Sequence, residues 1–237
     1  HDELRRQRQM CIRDRSTAGS SNYGTIRINF FEPILNSVII SGGAVIVSLI
    51  IGIPAGYILA RSNFKFKEDI GFFILGFRFA PLILVIIPMF YFFTILGIKD
   101  TYFGMIWVYQ VITLPMIIWL TRVYVEDIPI ELEEAAFVEG ANVFHVISRI
   151  ILPLLRPGLV GASLLVFLLA WHNFALGLLL ASKKAPVTVA LLKLLNPGIN
   201  FYPVMACGLV ISMIVPILLI FLGQKHFVKG LTFGAVK

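Results

Sequence analysis

Glu131, Glu133 and Glu134 crowd one polar stretch, ELEEAAFVEGANVFHVISRIILPLL from Glu131 to Leu155, in a chain of which only 14% is charged. Asp127 can accept orphan N–H bonds, and a proline in the first turn needs none, so a helix is predicted to begin at Ile128 or Pro129. The three carboxylates then fall near the positive end of that helix dipole, where negative charge is favoured. Their role there is electrostatic: they offset the partial positive charge of the helix start. Gly140 supplies a stop, and Asn142 starts a second short helix. Val143, Phe144, Ile147, Ile150 and Ile151 recur at three- and four-residue spacing and give this second helix one apolar face. Pro153 and Pro157 are expected to end it. The stretch reads as a helix–turn–helix elbow outside the hydrocarbon.

Other reactive side chains are sparse. His1, His145, His172 and His226 lie far apart, and Cys11 and Cys207 have neither metal spacing nor a disulfide framework. There is no GxxxxGK[ST] phosphate cradle, no HExxH, and no paired carboxylate or Ser/His or Ser/Lys set within an apolar run. A nucleotide-hydrolysing or membrane-embedded enzyme is thereby disfavoured, and neither a metal nor a cofactor is expected. Arg78 stands inside an apolar run, where charge is costly enough to mark function. It is also near the start of that run, so snorkelling towards Lys65 and Lys67 is an equal alternative. Trp171, His172 and Asn173 form the most polar cluster of a later run.

The elements that must position these groups follow from composition. The 237 residues are 58% hydrophobic with a mean hydropathy of +0.90, against about 45–50% apolar in soluble domains. This is an integral membrane protein. Five apolar runs are long enough to cross about 30 Å of hydrocarbon as helices: about Ile34–Ala60, Ile70–Leu96, Tyr102–Tyr124, Gly158–Leu180 and Val204–Leu222. In the first, Gly42, Gly43, Gly52 and Gly56 permit close helix approach, and Pro54 can kink the run. No period-two alternation suggests a barrel. The net charge of +7 is scattered between the runs and forms no stripe for nucleic acid.

That scatter orients the chain. With the elbow in the cytoplasm, Arg61, Lys65, Lys67, Arg122, Arg149, Arg156, Lys225, Lys229 and Lys237 lie inside, and Lys99, Lys183, Lys184 and Lys193 outside. The C-terminus is then cytoplasmic. Five spans put the N-terminus outside, together with Arg5, Arg6, Arg8, Arg13 and Arg15. The conflict disappears if a first span is missing and residues 1 to about 16, including MCIRDRS, are foreign. Residues 1–29 are accordingly read as a separate N-terminal segment and 30–237 as the transmembrane domain, with the elbow loop at about 126–157.

Glu134-Ala135-Ala136, then Gly140, then Ile150, Leu152 and Pro153 match the pattern EAA–x3–G–x9–I–x–L–P in every defined position. In this the chain resembles the membrane subunits of binding-protein-dependent ABC importers, and the similarity runs from about Asn36 to Lys237. The LNS entering the first span, Pro81, Ile87-Pro88, PIELEEAA and the closing FVKGLTFGAVK look like the carbohydrate, maltose-type branch. Where that branch carries W-N-E-F, this chain has Trp171-His172-Asn173-Phe174, keeping the aromatic frame and replacing the acid.

The resemblance implies an all-α, polytopic transmembrane bundle of the type I ABC importer permease kind, with six spans in relatives. It implies a non-catalytic subunit in a prokaryotic plasma membrane that borrows its motor from cytoplasmic ATP-binding subunits. The other implied partners are a second, non-identical permease and an external solute-binding protein. The first elbow helix, about Ile130–Glu139, is expected to dock on the ATPase: Ala135 and Ala136 allow close approach, Glu134 offers a carboxylate and Gly140 allows the turn. Arg78, Trp171, His172 and Asn173 are candidates for a sugar path, and the loop 182–202 for contact with the binding protein. The alternatives are a permease for a polyamine or glycerol phosphate, and, further off, a passive channel, although no filter motif is evident.

Overall fold

The computed structural model describes residues 29–79, 82–196, 199–200 and 202–232. The basic start, Pro81, residues 197, 198 and 201 of the loop 182–202, and the closing GAVK, on which expectations were placed above, lie outside the described residues.

Helix α1, Phe31–Arg61, runs about 46 Å at about 1.5 Å per residue. Its buried side combines small and polar residues, Asn36, Ser37, Ser41, Ala44, Ser48, Gly52 and Gly56, with Ile40, Val45, Tyr57 and Leu59, while Ile46, Ile50 and Ile58 are exposed. Lipid tails are as apolar as isoleucine, so apolar burial alone does not drive the packing, and the small residues let the helices approach closely.

Helix α2, Lys67–Gly76, passes into a tight 3₁₀ turn at Phe77–Phe79 before α3, Leu82–Ile95. The second span predicted over Ile70–Leu96 is not a straight helix: its two halves are bent by 87°. Helix α4, Tyr102–Glu126, is capped by the Thr101 side chain, which accepts from the Gly104 N–H. It is the inner partner of α1. A Cβ added at Gly52 would lie 2.6 Å from Ile117 Cγ2, and one at Gly56 2.7 Å from Thr121 Cβ, whereas Gly42 faces open space. Between these glycines the Ser48 hydroxyl donates to Gln110 Oε1 at 2.7 Å, and the Gln110 amide donates to the carbonyls of Ala44 and Ile106. Such a clasp contributes about 0.6 kcal/mol per bond in lipid.

Helix α5, Glu131–Val138, is the first arm of the elbow. The second arm continues without interruption into a span, giving α6, Val143–Trp171. Pro153 and Pro157 do not end it, contrary to expectation. The chain takes a wider π-helical turn over Val146–Ile151, which shifts the hydrogen-bond ladder just where the Pro153 ring would meet an α-helical carbonyl. The predicted span Gly158–Leu180 is in turn broken after Trp171, with a short α7, Ala175–Leu180, beyond it. Helix α8, Val187–Leu192, lies in the following loop and a two-residue antiparallel bridge, Leu195–Asn196 with Ile199–Asn200, leads to α9, Tyr202–Thr232.

Among the described residues four helices are long and apolar enough to cross a membrane, or five with the bent pair taken as one span. The core is layered along the bundle. Ile40, Ile86, Met105, Tyr109 and Leu176 pack at the end remote from the elbow; Val45, Ile117, Val166 and Trp171 pack in the middle. Tyr57, Val125, Val146, Ile151 and Leu155 pack beneath the elbow.

Candidate functional site

The turn of the elbow is built as the sequence indicates. Gly140 has φ of +86°, a left-handed conformation that a side chain disfavours. Its N–H donates to the Phe137 carbonyl at 3.0 Å, and the Ala141 N–H reaches back to the Ala136 carbonyl at 3.0 Å. These two bonds together are a Schellman closure. Asn142 Oδ1 accepts from the His145 N–H at 2.8 Å and caps the second arm. Asp127 does not cap the first: it closes α4 in helical geometry, and α5 begins behind Ile130 without a side-chain cap. The intervening Ile128-Pro129-Ile130 turn moves the helix start beyond reach of Asp127. Of the predicted apolar face of the second arm, Ile151 is buried and Ile147 and Ile150 are half-buried, whereas Val143 and Phe144 are exposed and Val146 is buried in their stead.

Helix α5 has two unlike sides. Glu131, Glu134, Ala135 and Val138 are exposed, with Val138 at 89% and, past the turn, Phe144 at 79%. On the inner side Ala136 packs against the cluster beneath the elbow, and Glu133 is only 2% exposed. Glu133 Oε1 accepts from Arg61 Nε at 2.7 Å, and Oε2 accepts from the Tyr57 hydroxyl at 2.7 Å. Arg61 Nη2 donates to the Ile128 carbonyl at 2.7 Å. Sequence reasoning grouped Glu133 with Glu131 and Glu134 at the positive end of the helix dipole and missed its partners Tyr57 and Arg61. The available signal was spacing, because Glu133 lies one turn before Ala136 on one stripe. Of the remaining motif residues, Ile150 and Leu152 are half-buried and Pro153 is exposed. Close by, buried Arg122 donates from Nη2 to both Glu68 oxygens, at 2.6 and 2.7 Å, and from Nε to Glu126 at 2.8 Å, tying α2 to α4.

The path candidates are dispersed. Trp171 is buried in the middle layer, its ring stacked on Phe167 with centroids 5.6 Å apart, so it backs the site without lining it. His172 and Asn173 meet Leu165, Leu168 and Leu169 around a shallow concavity of about 320 Å³. Asn173 Oδ1 accepts from the Leu176 N–H at 3.0 Å and starts α7, while its carbonyl accepts from the Tyr109 hydroxyl at 3.3 Å. Arg78 does not line that concavity. It sits at the break between α2 and α3 with Nη1 2.8 Å from Met116 Sδ. Met116 is six residues before Arg122 on α4, which places the guanidinium about 9 Å deeper than the Arg122–Glu68 pair. It does not reach back to the basic loop.

The end remote from the elbow is tied by polar side chains. Asn36 Nδ2 donates to the Ala185 carbonyl and its Oδ1 accepts from the Tyr102 hydroxyl; Ser37 Oγ accepts from the Val187 N–H. The LNS tripeptide therefore anchors the loop before α8. Asp100 accepts from the N–H groups of Ser182, Lys183 and Lys184 at 2.9–3.1 Å. Partial burial pushes its carboxyl upward, but the three N–H donors and the Lys183 charge outweigh this and hold it below the ordinary carboxylate range.

Comparison with known proteins gives the chain its relatives. Residues 52–233 match the family described as the binding-protein-dependent transport system inner membrane component. The trehalose/maltose transport system permease protein MalG of Thermococcus litoralis is 34% identical over 89% of this chain and 77% of that protein. The trehalose transport system permease protein SugB of Mycobacterium tuberculosis is 32% identical over 94% and 83%. Among solved structures, a chain of a bacterial ABC transporter involved in import of the acidic polysaccharide alginate superposes with a TM-score of 0.69 at 26% identity, covering 85% of this chain and 77% of that one.

Proposed function

The chain belongs to the family of inner membrane components of binding-protein-dependent transport systems, and from that premise we propose that it is the permease of an ATP-driven importer for a sugar or oligosaccharide, coupled to cytoplasmic ATPase subunits through its elbow. As a member it is a multi-pass inner membrane protein and a non-catalytic subunit.

One observation carries the coupling role. The outer side of α5 presents Glu134 and Ala135 beside the strongly exposed Val138, with Phe144 across the turn, while the inner side is fixed to the bundle. An acidic and apolar surface on a helix outside the hydrocarbon marks a protein contact. A carboxylate beside two small or branched apolar groups suits a cleft with a basic rim, which is what an ATPase subunit would offer. Orientation follows the lysine and arginine count, with elbow and C-terminus cytoplasmic. When ATP draws the motor halves together, the docked elbows act as levers that tilt the spans and switch access. A second permease subunit completes the pore, and a solute-binding protein delivers cargo to the end held by Asn36, Ser37 and Asp100.

Sugar as cargo is supported by the trehalose and maltose systems named above and by the closing GAVK. His172 and Asn173, at the break between α6 and α7, are its candidate contacts, and Arg78, at the other break, is the candidate charge on the path, because discontinuous helices are where transporters place their sites. Co-purification with the ATPase subunit tests the coupling role. Wild type retains the ATPase, while Glu134→Lys, which reverses the exposed charge, and Gly140→Pro, which cannot adopt a positive φ, lose it. A wild-type chain that binds no ATPase, or a Glu134→Lys chain that binds it equally well, refutes the reading.

A further inference from the structure

Glu133 is the one carboxylate of α5 that is withdrawn from solvent, and it is held from the far end of α1. Tyr57 and Arg61 occupy the last turns of that helix. No short connection joins α1 to the elbow: the covalent links of α5 run to α4 through Asp127–Ile130 and to α6 through Glu139–Asn142. We propose that Glu133, Arg61 and Tyr57 form a positioning latch that carries displacement of the elbow into α1. The inference rests on the coupling role proposed above and identifies which spans follow the lever.

The latch is an all-or-none device. A buried charge separated from its partner is strongly unfavourable, so the carboxylate stays with the guanidinium as the elbow moves and does not slide past it. The second arm of Arg61, on the Ile128 carbonyl at 2.7 Å, fixes the guanidinium to the linker between α4 and α5, so the ion pair cannot swivel freely. What α1 receives it passes on. Gly52 and Gly56 bring its backbone against Ile117, Ile118 and Thr121 of α4, and those contacts leave no room for the helices to rotate independently. Arg122 adds α2 through Glu68. The lever therefore moves α1, α2, α4 and α6 together. Helix α3 lies beyond the 87° bend, has no ion pair among the described residues and packs with α1 and α4 through apolar side chains such as Ile86 and Phe93, so it is the element left to change its angle against them.

The test uses the assembled complex of this chain with its partner permease and ATPase subunits in nanodiscs. Cys11 and Cys207 are replaced by serine, and spin labels are placed on Glu139→Cys, at the exposed end of α5, and Ile58→Cys, on the exposed side of α1. In wild type the distance between the labels stays the same in the nucleotide-free and ATP–vanadate states. In Glu133→Gln and in Tyr57→Phe the ATPase still co-purifies, but ATP–vanadate produces a second, longer distance. A wild-type distance that itself shifts with nucleotide overturns the latch, as does an unshifted distance in both variants. Tyr57→Phe removes a single hydroxyl, so it keeps the test decisive should Glu133→Gln fail to fold. Loss of ATPase from the wild-type chain would instead refute the coupling role, and the latch with it.

Discussion

Replacing single glycines of α1 by alanine distinguishes helix packing from helix propensity. At Gly56 an added Cβ would stand 2.7 Å from Thr121 Cβ, 2.8 Å from the Ile118 carbonyl oxygen and 3.0 Å from Thr121 Cγ2. Two of these are atoms that no rotamer change can move, so the helices must part. Overpacking of this kind costs about 1–3 kcal/mol. Alanine recovers about 1 kcal/mol through its helix preference, which leaves Gly56→Ala destabilised by about 0–2 kcal/mol. At Gly42 nothing lies within 4 Å of the new atom, so Gly42→Ala keeps the propensity gain of about 1 kcal/mol. The two variants should therefore differ by about 1–3 kcal/mol, read as the shift in unfolding midpoint on titration with sodium dodecyl sulfate in mixed micelles. A Gly56→Ala protein as stable as Gly42→Ala would refute the close approach of α1 and α4, and with it the claim that they move as one body.

Asn142→Ala removes the acceptor for the His145 N–H and should cost about 0.5–2 kcal/mol, seen as faster hydrogen exchange at residues 143–146 with α9 unchanged. Asp100→Ala frees the three N–H groups of Ser182, Lys183 and Lys184, and trypsin should then cut at Lys183 and Lys184 faster than in wild type. The same clasp responds to acid with a defined sign. Because the folded carboxyl is held below its unfolded value of about 3.9, the clasp contributes fully above about pH 4 and is lost as pH falls through the lower folded value. Exchange at residues 182–184 should be flat from pH 7 to 5, after correction for intrinsic rates, and rise only under stronger acid.

Much of the fold was legible because membrane spans announce themselves by length and hydropathy. The first span was placed within a few residues of Phe31–Arg61 and the third within a few of Tyr102–Glu126. The elbow turn was legible through residue chemistry, since Gly140 and Asn142 each have one local role that neighbours do not override. What hydropathy cannot report is backbone direction. The runs containing Phe77–Phe79 and Trp171–Asn173 are apolar on both sides of their breaks, so a window average passes through them. Pro153 misled for the opposite reason: a widened turn upstream absorbs it, and that turn depends on packing beneath the elbow, whereas Pro157 is carried inside the α-helix that follows. Glu133 was hidden because its partners are 72 and 76 residues away in sequence, and the one local signal, its place a turn before Ala136, does not name them.

The central claim is that the outer side of α5 docks an ATPase subunit while its inner side is fixed to the bundle. Neighbouring alanines make the most direct test, because Ala135 is exposed and Ala136 packs inward. With Cys11 and Cys207 replaced by serine, single cysteines are introduced as Ala135→Cys or Ala136→Cys, and a short bifunctional thiol–amine reagent is applied to the purified complex. Ala135→Cys is predicted to give a covalent product with the ATPase subunit and Ala136→Cys none. Equal crosslinking at both positions, or crosslinking only through Ala136→Cys, would contradict the account.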